Sequence, residues 1–248
     1  MQAARLLLFV FLIITNSGAV FADGHIFDNV YLKAGIGGSF SNDHGEPAFI
    51  SNSGALRTFS DGDLGSSRSF DIGIGKEITK NLSLELTVNY KDGFQVEAPE
   101  ISSTFRVLVD EPQVLTFFVN GLYDVENLDF KLGKNTLKPY ITAGLGVANI
   151  HNRNTDLIRP DNDRDERRVE RNRTNNFAWN IGFGVLTDLT NNITIDMGYR
   201  YVDLSEYEAG NNSCRSQAGV QTNCNANQSP LKTELSAHEV MVNLKYRF

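Results

Sequence analysis

The chain has 248 residues, enough for one large domain or two small ones. Its formal net charge of −7 argues against nucleic acid as the main partner. Glycine is abundant (21) and proline scarce (6), a balance that suits strands and argues against disorder.

In chain order, residues 1–22 read as a cleaved signal peptide. Arg5 is the positive n-region, Leu6 to Ile14 form an apolar run of nine, and Val20-Phe21-Ala22 fits a cleavage site before Asp23. That run is far shorter than the about 20 residues a membrane-spanning helix needs. Residues 23–248 then form one domain. No other apolar run approaches helix-spanning length, so this domain is either soluble or a membrane barrel. Only helices and closed barrels satisfy their backbone hydrogen bonds within hydrocarbon.

The domain is dominated by period-two alternation, the mark of strands with one apolar face. Eight runs carry it: 29–40, 68–78, 82–95, 113–125, 138–150, 176–187, 192–204 and 235–248. In the first, Val30, Leu32, Ala34, Ile36 and Phe40 oppose Tyr31, Lys33, Gly35, Gly37 and Ser39. In the third, Leu82, Leu84, Leu86, Val88 and Tyr90 oppose Ser83, Glu85, Thr87, Asn89 and Lys91. Pro47, Pro99, Pro112, Pro160 and Pro230 fall between runs and Pro139 at a run's start, where a missing ladder donor is tolerated. The connections 41–67, 96–112, 151–175 and 205–234 are long and polar. Those at 79–81 and 188–191 are short, and 126–137 is intermediate. Membrane barrels of bacterial outer membranes have short periplasmic turns and longer external loops. The expected fold is therefore an all-β, eight-stranded, antiparallel up-and-down transmembrane barrel with both termini on the periplasmic side.

A soluble barrel would also alternate, with its apolar face inward. Three features favour the membrane. Gly35, Gly37, Gly73, Gly75, Gly144, Gly146, Gly182, Gly184 and Gly198 all lie on the polar face, as a crowded interior requires. Aromatic residues on the apolar face gather at strand ends: Phe40, Phe70, Tyr90, Phe177, Trp179 and Tyr201 at one, Tyr123, Tyr246 and Phe248 at the other. Finally, the chain closes on Val240, Val242, Leu244, Tyr246 and Phe248 at every second position.

That terminal pattern resembles the insertion signal read by the barrel-assembly machinery. More broadly the chain resembles the opacity-protein and OmpA-like family of eight-stranded surface antigens. The likeness is carried by Phe118-Val119-Asn120-Gly121-Leu122-Tyr123-Asp124, by Pro139 through Gly146, and by Gly198-Tyr199-Arg200-Tyr201-Val202-Asp203-Leu204. It implies residence in a bacterial outer membrane among lipid and lipopolysaccharide. The sequence departs from OmpA itself in ending at the barrel, so no peptidoglycan-binding domain is expected. Such barrels serve many roles, so the resemblance speaks to fold and location.

An eight-stranded barrel is just wide enough for its own side chains. The expected inward charges are Lys33, Asp71, Glu77, Glu85, Lys91, Asp196, Arg200, Glu239, Lys245 and Arg247. Burial in a narrow lumen requires them to pair, which predicts a closed or barely conducting barrel. A narrow pore lined by the same residues is the alternative.

Catalytic and cofactor signals are lacking. His25, His44, His151 and His238 have no partner at metal-ligand spacing, and His238 reads as a solvated or interior ring. Asp161, Asp163 and Asp165 have calcium-loop spacing, but Glu166 and Asn172 occupy positions that need Gly and Glu, and nearby arginines would repel a cation. No enzyme activity, cofactor or metal is expected. Arg164, Arg167 and Arg168 are candidate contacts to anionic lipopolysaccharide or an acidic glycan, although acids in the same loop leave it little net charge. Cys214 and Cys224 share the fourth long loop, and an exported chain meets an oxidising compartment, so a disulfide is expected. Function falls to the external loops: a non-enzymatic surface antigen or adhesin that binds host or environmental molecules. The other readings are a narrow solute channel and a structural envelope barrel.

Overall fold

The computed structural model describes residues 29–41, 66–94, 112–133, 135–151, 172–208 and 232–248. It also describes short loop strands at 48–50, 56–58, 96–97, 109–110, 155–157, 166–169, 212–215 and 221–223. The expected leader and its cleavage point lie outside the described residues. So do Arg164, Cys224 and, with Cys224, the expected bridge from Cys214.

Every regular element among the described residues is a strand. Eight long ones form the wall: β1 (Val30–Ser41), β2 (Ser66–Glu77), β3 (Leu82–Asp92), β4 (Gln113–Asp124), β5 (Asn135–His151), β6 (Arg173–Asp188), β7 (Ile193–Glu208) and β8 (Lys232–Arg247). Each pairs antiparallel with its sequence neighbours, and β1 closes on β8 from Tyr31↔Arg247 to Ser41↔Ala237. Closure leaves the wall no unpaired edge within the membrane.

The pleat puts successive side chains on opposite faces, and the eight strands agree on which face is which. Ile36, Leu145 and Phe183 point outward and are 57%, 61% and 60% exposed, a belt that only a lipid environment makes favourable. Ring contacts mark the ends of this belt. Trp179 and Tyr201 meet at a tilt with centroids 5.6 Å apart near the external end, and Tyr246 meets Phe248 edge-on at 5.4 Å near the periplasmic end.

Two short turns share one design, Ile78-Thr79-Lys80-Asn81-Leu82 and Leu189-Thr190-Asn191-Asn192-Ile193. In each, the threonine hydroxyl accepts from the backbone N–H two and three residues on, at 3.3 and 3.1 Å. In each, the asparagine amide donates to the carbonyl of the next strand, Asp124 or Arg247. The intermediate connection is different. Residues Phe130–Leu132 pair with Asn135–Leu137, so β5 starts three residues before the expected run and the hairpin projects past the rim.

At the external end β6, β7 and β8 outrun their expected limits. β7 bulges between Asp203 and Glu206, with Ser205 at φ 61° and its hydroxyl donating to the Phe177 carbonyl at 2.7 Å. The first loop's hairpin (Ala48–Ile50 with Leu56–Thr58) joins the start of β8 through Lys232↔Ala48. Short strands of the third and fourth loops form one four-stranded sheet, ordered 155–157, 166–169, 212–215 and 221–223.

Candidate functional site

The lumen is where this fold could conduct, bind or react. Its periplasmic and middle parts hold one connected ion-pair network. Glu85 on β3 takes Lys33 at 2.7 Å and Lys245 at 2.8 Å. Lys33 also reaches Asp71 at 3.2 Å, and Lys245 reaches Asp196 at 3.3 Å. Asp71 faces Arg200 at 3.7 Å, and Arg200 donates to Glu239 at 2.5 Å. Glu239 finally takes Lys91 at 2.9 Å, both side chains fully buried. Four cations thus meet four anions, which is how a narrow interior tolerates charge.

Neutral groups complete the shell. Tyr31 donates to Glu85 at 2.8 Å and Tyr140 to Asp196 at 2.6 Å. The Lys245 ammonium lies over both tyrosine rings, 5.0 and 5.7 Å from their centroids. Lys91 donates to Asn89 at 2.5 Å, and Asn180 to Asn120 at 2.9 Å. The glycines of the polar face make the room. A Cβ on Gly75 would stand only 2.3 Å from the phenol carbon of Tyr31, and one on Gly184 would meet the Tyr140 ring. Among the described residues the network leaves a cavity of about 30 Å³ beside Asp71, Tyr140 and Arg200, and another of about 70 Å³ lies at the periplasmic mouth.

Sequence reasoning missed the external end of the lumen. There the inward positions turn apolar, and Phe94, Val114, Phe118, Ile150, Val202, Leu204 and Leu235 pack with Ala148, Ala178 and Ala237 in one buried cluster. Gly93 adopts φ +102°, and the next residue, Phe94, is fully buried. The signal was there: in Arg200-x-Val202-x-Leu204 and Glu239-x-Ala237-x-Leu235 the inward positions change from charged to apolar.

Of the expected inward charges, Lys33, Asp71, Glu85, Lys91, Asp196, Arg200 and Lys245 meet in this network with Glu239. Arg247 does not. It sits at the periplasmic mouth, its side chain 45% exposed and paired with Glu77 at 2.5 Å, because the lumen opens to water there. His238 also departs from expectation. It is not an interior ring: it lies half-buried on the outer wall between Phe40 and Tyr201, with the Tyr199 hydroxyl 2.5 Å from Nδ1. The terminal apolar positions face outward: Val240 51%, Val242 50%, Leu244 38% and Phe248 57% exposed, with Tyr246 beside Phe248. Among the described residues no three His, Cys, Asp or Glu side chains gather as metal ligands would. Arg167 and Arg168 fall in an inner strand of the loop sheet, opposite Cys214 and Ser213.

Residues 8–248 match the family described as outer membrane protein beta-barrel domain. The chain belongs to that family. It is a bacterial outer-membrane protein, and the belt and closed wall described above are its membrane-spanning part. Outer membrane protein PagN of Salmonella typhimurium is 29% identical over 103 residues, 42% of this chain. The match spans only 39% of that relative's length. OprG from Pseudomonas aeruginosa has a similar structure, with TM-score 0.56 and 14% identity over 89% of this chain and 97% of that one. A major outer membrane protein from Thermus thermophilus gives 0.50 and 10%, over 88% and 99%. At such identities the shared property is the fold.

Proposed function

We propose that the protein is a non-enzymatic surface antigen or adhesin: a plugged barrel that holds four external loops against host or environmental molecules. The observation that carries this reading is the filled lumen. A charge-balanced network and an apolar layer occupy it in series, and the cavity within the network, about 30 Å³, has room for little more than a water molecule. The paired strands of the third and fourth loops support a folded platform for binding. Arg164, Arg167 and Arg168 are the proposed contacts to anionic lipopolysaccharide or an acidic surface glycan. The leader and the outward C-terminal strip fit delivery by export and recognition by the barrel-assembly machinery.

The deciding experiment is single-channel recording of the refolded chain in a planar bilayer, with folding verified by a heat-modifiable gel shift. The expected result is folded protein without conductance steps. Reproducible steps would replace this reading with a narrow channel. Retention on heparin or lipopolysaccharide should fall when Arg164, Arg167 and Arg168 are changed to Ser, and unchanged retention would remove those residues from the binding surface.

A further inference from the structure

The β4–β5 connection is the one periplasmic turn that projects as a hairpin. Asn127 (φ 61°) and Gly133 (φ 65°) take left-handed conformations, and Phe130–Leu132 pairs with Asn135–Leu137. In β5 the odd-numbered residues face outward, as Ile141 does at 54% exposure. The register places Phe130 opposite Leu137 and Leu132 opposite Asn135, so both continue the outward face of the wall. Phe130 is 48% exposed, Leu132 70% and nearby Leu128 58%, whereas Leu137 is buried beside Phe130. Lys131 falls on the other face, opposite Thr136. The hairpin is therefore amphipathic with the same polarity as the lipid-facing wall. At a strand rise of about 3.3 Å and a tilt near 40°, Leu137 lies only about 10 Å beyond Ile141 along the barrel axis.

The other periplasmic turns follow the same rule on a smaller scale. Ile78 (51%) and Leu189 (52%) stand exposed on the outward face, as does Phe248 (57%). Apolar residues thus ring the rim and do not form one patch on one side, which fits a surrounding lipid interface better than a single protein partner.

We propose that the Phe130–Leu132 hairpin is a membrane-seating element, its Phe130, Leu132 and Leu128 side chains lying in the headgroup region of the periplasmic leaflet. It would fix how deeply this side of the barrel sits, with Lys131 turned away from the lipid.

The test uses the full chain, whose single tryptophan is Trp179. Trp179→Phe removes that signal and Phe130→Trp moves it to the hairpin, in vesicles containing lipids brominated near the headgroup or deep in the acyl chain. Asn191→Trp, at the tip of the β6–β7 turn, supplies the comparison. The expected result is emission blue-shifted from that of the Asn191→Trp protein and quenched more by shallow bromines than by deep ones. Water-like emission with no bromine quenching would overturn the proposal and leave a periplasmic protein as the strip's cover. Should Phe130→Trp lose the heat-modifiable band of the folded barrel, Leu132→Trp at the more exposed position makes the same measurement.

Discussion

The charged middle of the lumen and its apolar external end are built on the same strands by the same alternation, with opposite chemistry. Arg200 and Leu204 are both inward on β7, and Glu239 and Leu235 both inward on β8. The outward face has no such freedom, because lipid demands apolar side chains along the belt. Inward positions answer only to volume and to pairing. A narrow lumen can be filled by ions that neutralise one another or by hydrocarbon, and this protein uses one above the other.

The largest effect should come from removing space, which both layers need. Gly75→Leu would drive a side chain into the Tyr31 ring, and no heat-modifiable band should form. Gly121→Ala makes the contrast: a Cβ there meets nothing within 4 Å, and folding should be unaffected. Next comes Glu239→Ala, which strips both Lys91 and Arg200 of their shared carboxylate. Uncompensated buried charge costs about 3–5 kcal/mol, read as a lower urea midpoint in vesicles. Glu239→Gln keeps the shape and some hydrogen bonds and should lose less. In the apolar layer Leu204→Ala should cost about 2–4 kcal/mol by the same assay, the usual range for a buried leucine. Neither Glu239→Ala nor Leu204→Ala should conduct, since each leaves the other layer closed. Steps from either one alone would mean that a single layer seals the lumen.

The wall was legible in the sequence because period two is a local signal that needs no partner. Leu82 to Lys91 already assigns faces to β3, and the glycines of the polar face already imply a crowded interior. Which charges meet was not legible. Glu85 takes Lys33 from β1 and Lys245 from β8, and that choice depends on register and tilt around the closed wall. The apolar cluster escaped notice because both faces are apolar at the external strand ends, as in Phe177-Ala178-Trp179, and alternation fades where both faces carry the same kind of residue. The β4–β5 hairpin escaped for another reason. Three-residue strands give too few alternations to read, and its register appears only once Phe130 is seen opposite Leu137. Arg247 had the right parity and the wrong depth, and parity carries no information about depth.

The smallest predicted effect tests whether burial or distance sets the worth of an ion pair in this barrel. Lys138–Asp188 at the periplasmic mouth measures 2.8 Å and Lys91–Glu239 in the lumen 2.9 Å, so geometry hardly separates them. Their surroundings do: the mouth pair is 43% and 47% exposed, the lumen pair fully buried. Water and salt screen the first, and its coupling should fall below about 1 kcal/mol. Asp188 also accepts from Thr194 at 2.7 Å, so single substitutions would mix two interactions. A double-mutant cycle on Lys138→Ala and Asp188→Ala removes that term and isolates the pair. The coupling should shrink further in high salt, where the Debye length drops to about 3 Å at 1 M. A salt-insensitive coupling well above 1 kcal/mol would mean that the mouth is drier than its exposure suggests, and that the charged layer reaches the periplasmic rim.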